Sequence, residues 1–309
     1  MQKIGYYRKS GELFLQNVSL KKLANQYGTP TFIYDSNLIK KSFHLLKNIM
    51  DPLNGKIHFA VKSNDNLGII KYINSLGAGA DVVSIGELKR CLKVSVKPED
   101  IIFSGVGKQK DEIEFAINQN IKQLNAESIE ELKEIIEISK KIKKKVNVAL
   151  RVNLDINAKT HKKISTGDEN SKFGIIYDDI VNAYKLINEA SFINPYGLAV
   201  HVGSQLFDYD VFFQTFSKIK HLAIELRNLG YKINNLDLGG GFGIDYTMKN
   251  SLNFESFSRA LNEIFKNEEF QLSVEPGRSL IAESGILLTK VIRTKSTNLK
   301  NFLIVDAAM

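Results

Sequence analysis

The sequence of 309 residues is poor in cysteine, proline and tryptophan, with one cysteine, five prolines and no tryptophan. Because the single thiol, Cys91, has no partner, an internal disulfide bond and a cysteine-based zinc site are excluded. The histidines other than His201 lack the spacing of metal ligands. We therefore predict no metal centre.

Long apolar runs are absent as well. No stretch approaches the roughly 18 consecutive apolar residues that cross a membrane, and residues 1–16 lack the apolar core of a signal peptide. No low-complexity tract or Gly/Ser-rich linker marks a domain boundary. With 43% hydrophobic and 25% charged residues, the composition is that of an ordinary globular protein. We predict a cytoplasmic protein that does not bind membranes.

Positive charge exceeds negative charge, since 42 Lys and Arg face 34 Asp and Glu, a formal net charge of +8. The densest basic run, at residues 140–145, closes a helix-period segment that begins with glutamates at residues 127–137. The helix dipole favours that order. The run therefore predicts a solvated helix end, and the alternative, a nucleic-acid-binding patch, is disfavoured.

From about residue 36, short β-branched apolar runs alternate with segments of helical period, which is typical of repeated βα units. The predicted strands are residues 57–61, 80–84, 101–104, 121–125, 146–152, 196–202, 235–238 and 272–275. The predicted helices are residues 67–76, 85–92, 110–118, 129–143, 178–189, 209–229 and 254–265. This pattern favours an α/β fold, a (β/α)8 TIM barrel, over an open doubly wound sheet.

The two chain ends do not fit the barrel. Residues 12–15 and 31–34 are β-like, and residues 285–293 and 301–305 form two predicted strands with no helix between them. We expect the ends to pair with each other. The predicted domains are a barrel of residues 35–283 and a partial, all-β domain built from residues 1–34 and 284–309.

Polar residues gather after the predicted barrel strands. They are Lys62 after the first strand, His201 and Ser204 at the sixth, Gly239, Gly240 and Gly241 after the seventh, and Glu275, Gly277 and Arg278 at the eighth. Active groups of this architecture lie at the carboxyl ends of the strands. We therefore expect these groups to meet at one mouth of the barrel.

Each of these groups has a chemical and a plainer interpretation. Burial at a strand end lowers the pKa of Lys62 and frees a nucleophilic amine, unless the side chain only snorkels to the rim. The glycine run suits an anion or merely a tight turn, and its GGGxG spacing is not the dinucleotide fingerprint. Glu275 either binds a protonated ring nitrogen or pairs with Arg278. His201 either stacks on a flat ligand or is an ordinary core histidine. Together they match the parts of a pyridoxal-phosphate site.

Several motifs carry a specific resemblance. AVKSN at 60–64, GAGADVVSIGEL at 77–88, HVGSQ at 201–205, LGGGFG at 238–243 and EPGR at 275–278 resemble, in order and spacing, the fold-type III pyridoxal-phosphate decarboxylases. The segment at 160–175 is similar to that family's substrate loop. GADVVS-x-GEL and TG-x(3)-SKFG favour the diaminopimelate branch over the ornithine and arginine branches.

The resemblance implies roles for individual residues. Lys62 would bind pyridoxal 5'-phosphate covalently, His201 would stack on its ring and Glu275 would keep the ring nitrogen protonated. Asp81 would line the cofactor. The implied phosphate-binding residues are Ser204, Gly239, Gly240, Gly241, Gly277 and Arg278, and Arg278 would also reach the substrate. The implied reaction is decarboxylation of meso-2,6-diaminopimelate to L-lysine.

Family members continue beyond the match to VDAAM at 305–309, with a Cys-Glu-x-x-Asp segment whose cysteine enters the partner subunit's site. Cys91 does not match that cysteine. We therefore expect a homologue truncated at its carboxyl end and, by resemblance, a homodimer. The alternatives are a catalytically silent cofactor-binding homologue and an ornithine- or arginine-type decarboxylase. A cofactor-binding protein of the alanine-racemase type is less favoured, because such proteins lack the loop at 160–175.

Overall fold

The computed structural model describes residues 6–156, 171–246 and 254–307. In chain order its strands are β1 (Tyr6–Lys9), β2 (Glu12–Leu15), β3 (Val18–Ser19), β4 (Thr31–Tyr34), β5 (Lys56–Ala60), β6 (Gly79–Val82), β7 (Ile101–Phe103), β8 (Gln123–Ala126), β9 (Val146–Asn153), β10 (Ile175–Ile176), β11 (Ile193–Ala199), β12 (Asn235–Asp237), β13 (Gln271–Val274), β14 (Gly285–Leu288), β15 (Val291–Ser296) and β16 (Asn301–Val305). Its α-helices are α1 (Leu20–Tyr27), α2 (Ser36–Met50), α3 (Leu67–Ser75), α4 (Ile85–Lys93), α5 (Lys110–Asn118), α6 (Ile129–Ile142), α7 (Ile180–Glu189), α8 (Tyr209–Asn228), α9 (Glu255–Phe265) and α10 (Arg278–Ile281).

The central feature is a closed parallel barrel, whose strands follow the order β5-β6-β7-β8-β9-β11-β12-β13. The ring closes because β13 pairs in parallel with β5, with Val274 opposite Ile57. The short strand β10 adds to the end of β9. The predicted (β/α)8 barrel is confirmed. The doubly wound alternative is wrong, since an open sheet would leave β5 and β13 unpaired.

Local sequence explains these elements. Every residue of β7 and β8 is buried, because one face of each strand meets the barrel interior and the other meets the helices. The helices α4 and α6 begin after Ser84 and Ser128, whose side chains accept the backbone N–H groups of residues 87 and 131. These caps fix where the chain turns from strand to helix at the barrel mouth.

Helix α2 lies outside the predicted helices. Its buried residues recur at helical spacing, namely Leu38, Ile39, Ser42, Phe43, Leu46 and Met50. Asp35 caps it by accepting the N–H of Asn37 at 2.8 Å. The helix packs against α10. The periodic signal was therefore present in the sequence, immediately before the first barrel strand.

The chain ends form antiparallel sheets beside the barrel. β1, β2 and β3 make one sheet, and β4 pairs with β14, with Ile33 opposite Ile286. A small second core buries Tyr6, Leu15 and Leu20. The expected pairing of the two ends is thus present, while the domain boundaries at 34/35 and 283/284 stay a prediction.

The predicted strand at 285–293 is wrong as a single element. It divides into β14 and β15, because β14 pairs with β4 whereas β15 pairs with β16. The β15–β16 hairpin is exposed along most of its length. In the described part of the chain, no helix has the length and apolar character needed to cross a membrane.

Candidate active site

The carboxyl ends of the barrel strands surround two adjoining cavities. One, of about 420 Å³, is lined by Ala60, Lys62, Ser63, His201, Ser204, Gly241, Phe242, Glu275, Gly277, Arg278 and Ser279. The other, of about 460 Å³, shares Lys62, His201, Ser204 and Glu275 with the first and extends to Ser104, Arg151 and Phe173. The expected convergence of the four strand ends is therefore seen. The roles assigned to the individual residues stay predictions.

Lys62 lies in a short 310 turn directly after β5. Its Nζ lies 3.2 Å from Oδ2 of Asp81, which is fully buried, while the lysine side chain remains 47% exposed. The Asp81 charge raises the pKa of Lys62, and this effect outweighs the lowering caused by burial. The expectation of a lowered pKa is therefore wrong for the cofactor-free protein. The paired amine carries a proton, which must leave before the amine can act as a nucleophile.

The glycine run brings backbone close to two neighbouring strand ends. A Cβ on Gly240 would lie 2.2 Å from the carbonyl oxygen of Glu275, and one on Gly241 would lie 2.1 Å from that of Gly203. Gly241 also has a φ of +89°. Glycine is therefore required here so that the main chain itself forms the wall of the cavity.

His201 is held by that wall. The N–H of Gly240 donates to Nδ1 of His201 at 3.1 Å, which leaves Nε2 to carry the ring proton of the neutral form. Burial, and then the charges of Arg151 and Lys62, hold the pKa of His201 well below its usual value. The imidazole is accordingly neutral, and it presents a flat, uncharged ring.

Glu275 is 8% exposed and lies at the end of β13. Burial raises its pKa well above the ordinary value, and the neighbouring charges of Asp237 and Asp81 act in the same direction. Ser104 Oγ donates to Glu275 Oε1 at 3.4 Å. Asn125 in turn donates to Ser104 at 3.0 Å, so a chain of polar side chains fixes the orientation of the carboxyl group.

A buried ion pair forms the opposite wall. Arg151 Nη1 donates to both carboxylate oxygens of Glu127, at 2.8 and 3.0 Å. Glu127 also accepts the N–H of Gly105 at 2.7 Å. The Arg151 guanidinium lies 4.8 Å from the centre of the Phe173 ring. Arg151 and Asp237 were not among the predicted site residues. Their signal was a charged residue inside or at the end of an apolar strand.

Gly277 and Arg278 stand where β13 passes into α10. Gly277 precedes the helix, and a Cβ there would lie 3.2 Å from that of Ser63. The partly exposed Arg278 lines the same cavity as Lys62. The proposed substrate segment at 160–175 lies outside the described residues for positions 160–170. Of its remainder, Phe173 lines the second cavity.

These features fit pyridoxal phosphate. The main chain at 239–241 offers a close-packed wall for an anion, and Lys62 lies within the same cavity. Two buried carboxylate oxygens, Asp81 Oδ1 and Asp237 Oδ2, have no hydrogen-bond partner among the described residues. The buried carboxyl group of Glu275, next to Asp237, lines both cavities and suits a ligand that brings positive charge. Across the described ranges, no group of three or more His, Cys, Asp or Glu side chains is arranged to hold a metal ion.

Comparison with known proteins decides the family. The profile described as "Pyridoxal-dependent decarboxylase, pyridoxal binding domain" matches residues 36–282. The chain belongs to this family. It is 40% identical over 297 residues to a diaminopimelate decarboxylase of Neisseria meningitidis serogroup B, covering 96% of this chain and 72% of that protein. It is 38% identical over 303 residues to one of Aquifex aeolicus, covering 97% and 71%.

Solved structures give the same result for this decarboxylase family. The diaminopimelate decarboxylase of Helicobacter pylori complexed with L-lysine has a TM-score of 0.89 and 36% identity, over 93% of this chain and 73% of that chain. The one from M. jannaschii in co-complex with L-lysine has a TM-score of 0.91 and 33% identity, over 99% and 74%. The expected family, fold and pyridoxal-phosphate chemistry are confirmed.

Proposed function

We propose that this decarboxylase converts meso-2,6-diaminopimelate to L-lysine and carbon dioxide with pyridoxal phosphate. The observation that carries the proposal is the meeting of Lys62, Glu275 and the glycine wall at one cavity, in a chain whose similar relatives are named diaminopimelate decarboxylases. When bound, pyridoxal phosphate supplies an electron sink for the electron pair left by the departing carboxylate.

The residues divide the binding of the cofactor among themselves. Lys62 would form the covalent bond, and its proton has a nearby acceptor in Asp81 Oδ2 at 3.2 Å. Ser204, Gly277, Arg278 and the N–H of Gly241 would hold the phosphate, with Gly239 and Gly240 shaping the wall beside it, since their N–H groups donate to Asp237 and His201. The neutral ring of His201 would cover one face without adding positive charge. Glu275 would pair with the cationic ring nitrogen.

The substrate end depends on Arg278. Its guanidinium lies in the Lys62 cavity, and a planar fork of donors binds a carboxylate through two parallel hydrogen bonds. We assign it to a carboxylate of the substrate in addition to the cofactor phosphate. The buried Phe242 in the first cavity and the half-buried Val83 in the second would limit the access of water to the reacting carbon.

The experiment is an assay of the purified chain with pyridoxal phosphate and three amino acids: meso-diaminopimelate, L-ornithine and L-arginine. We expect carbon dioxide and L-lysine from the first and no release from the others. Lys62→Ala serves as the inactive control. Release from ornithine or arginine alone would contradict the proposed substrate. No release from any of them, with the cofactor bound, would favour the silent homologue.

We further propose a homodimer and a cytoplasmic location. The dimer follows from the family resemblance, and the location follows from a composition typical of ordinary globular proteins. Sedimentation equilibrium of the purified chain tests the dimer. A monomer at all accessible concentrations would contradict it.

A further inference from the structure

Asp237 has no part in the reaction described so far, although it lies beside Glu275. It is the last residue of β12 and stands opposite Ser273 in β13. The N–H of Glu275, two residues further on, donates to the carbonyl oxygen of Gly239 at 2.7 Å. Residues two apart in a strand point to the same side. The side chains of Asp237 and Glu275 therefore enter the barrel as diagonal neighbours, 2% and 8% exposed.

A proton on Asp237 would complete the hydrogen bonds of its carboxyl group. Its Oδ1 accepts the N–H of Gly239 at 3.0 Å. Its Oδ2 is buried, and among the described residues no donor reaches it. A hydrogen bond to the neighbouring Glu275 carboxyl would satisfy this oxygen, and the two groups shift each other's pKa. Since two ionised carboxylates can only accept, this contact requires a proton on one of them.

The surrounding charges favour keeping that proton. Asp81, from β6, is a third buried carboxylate facing the pair, whereas Lys62 at the mouth and Lys122 at the other end of the barrel oppose it. Burial is the largest cause that raises the pKa of both Asp237 and Glu275. Two adjacent negative charges in a poorly solvated site are unfavourable, so one carboxyl of such a pair stays protonated.

We propose that Asp237 is a positioning residue that shares one proton with Glu275, so that the pair carries a single negative charge. When a cationic ring nitrogen faces Glu275, the proton resides on Asp237, which donates to Glu275 and fixes it as an acceptor. The second half of this inference rests on the proposed function. The shared proton itself is a property of the cofactor-free protein.

Two substitutions distinguish this role from a structural one. In Asp237→Asn, the amide oxygen can accept the N–H of Gly239 while the amide nitrogen donates to Glu275. Asparagine therefore copies the protonated form of aspartate and cannot copy the ionised form. Asp237→Ala removes both contacts. A residue needed as an anion would lose its role in both variants.

The first experiment needs neither cofactor nor substrate. Infrared spectra of the cofactor-free protein, recorded as a function of pH, would show the band of a protonated carboxyl group. We expect this band at neutral pH in the original protein and its loss in both Asp237→Asn and Glu275→Gln, because each amide donor lets the remaining carboxylate ionise. The exposed Glu99→Gln is the matched control and should leave the band unchanged. No band in the original protein, or a full band in Asp237→Asn, would overturn the shared proton.

The second experiment measures the affinity for pyridoxal phosphate by absorbance titration, with circular dichroism to confirm that each variant is folded. We expect Asp237→Asn to bind within about threefold of the original protein and Asp237→Ala to bind about tenfold or more weakly, the range for losing a buried hydrogen bond to a charged group. Equal losses in both variants would overturn the positioning role. Because neither readout involves diaminopimelate, a wrong substrate assignment leaves both results interpretable.

Discussion

Two lysines at opposite ends of the barrel differ in the direction of their pKa shifts. Lys62 follows β5 at the mouth and faces Asp81 at 3.2 Å, and that charge raises its pKa. Lys122 precedes β8 at the other end, and its Nζ lies 3.1 Å from Nε2 of the buried His58. Burial lowers the pKa of Lys122. The charge of the partner decides the direction of the pKa shift of Lys62, whereas burial decides that of Lys122.

The two ends of the barrel therefore differ in the groups that they present. At the mouth, buried carboxylates and a half-exposed lysine line a cavity of about 420 Å³. At the other end, Lys122 and His58 face each other beneath the barrel core, and His58 has its pKa held well below normal by burial first and by the Lys122 charge next. The mouth therefore keeps a charged lysine beside buried carboxyl groups, whereas at the other end the pKa values of both Lys122 and His58 are lowered.

The largest expected effect comes from removing each lysine in turn. Lys62→Ala should abolish the absorbance band of covalently bound pyridoxal phosphate and lower decarboxylation by more than about a thousandfold, as for loss of a catalytic nucleophile. Lys122→Met, which keeps the apolar stem, should retain the band. Absorbance spectra of both variants check this. A band that survives in Lys62→Ala would remove Lys62 from the covalent role.

Substitution of Arg278 tests whether this residue at the barrel mouth binds the substrate. Arg278→Lys should weaken substrate binding by about tenfold and cofactor binding less, because an ammonium cannot reproduce a bidentate guanidinium contact. The KM for meso-diaminopimelate and the Kd for pyridoxal phosphate are the two measurements. Equal losses in the two would count against a substrate contact.

Asp81→Asn tests whether the partner decides the protonation of Lys62. Without the carboxylate that raises the pKa of Lys62, this pKa should fall, and the neutral amine should appear at lower pH. The pH midpoint of the rate of covalent cofactor attachment should therefore move downward. An unchanged midpoint would show that Asp81 does not control the amine.

The smallest expected effect concerns stability in acid. Because His58 stays neutral in the folded state, only the unfolded chain binds its proton as the pH falls through 6.5, so the free energy of unfolding decreases below that pH. His58→Gln should lose part of this acid sensitivity. Urea unfolding at pH 5 and pH 7 measures the change, with the exposed His44→Gln as control. The same sensitivity in the His58 variant and the original protein would contradict the assignment.

Much of the fold was predictable because barrel strands are apolar on both faces and are separated by helices of clear period. The strands β5 to β9 and β11 to β13 each overlap one predicted strand, although β11 covers Ile193–Ala199 where residues 196–202 were predicted. Helix α2 has the same helical spacing of buried residues, although it is not among the predicted helices. The division of 285–293 into two strands was not predictable from composition, since pairing partners far along the chain decide it.

The residues of the candidate site likewise divide into those that could be predicted from the sequence and those that could not. The motifs at Lys62, His201, the glycine run and Glu275 were visible because each combines a strand end with an unusual residue. Asp237 was not singled out, although it directly precedes the glycine run, because a single aspartate at a strand end is common. Its importance depends on Glu275, 38 positions further on and adjacent only in the closed barrel.

The sequence alone determined the barrel, its family and the set of groups that gather at its mouth, because hydrophobic period and motif spacing are local properties. Only the tertiary structure decided the electrostatics. Burial and neighbouring charge set the pKa of a group, and both depend on which strands stand side by side. For that reason the sequence placed Lys62 correctly and gave the wrong direction for its pKa, which Asp81 raises from the adjoining strand β6.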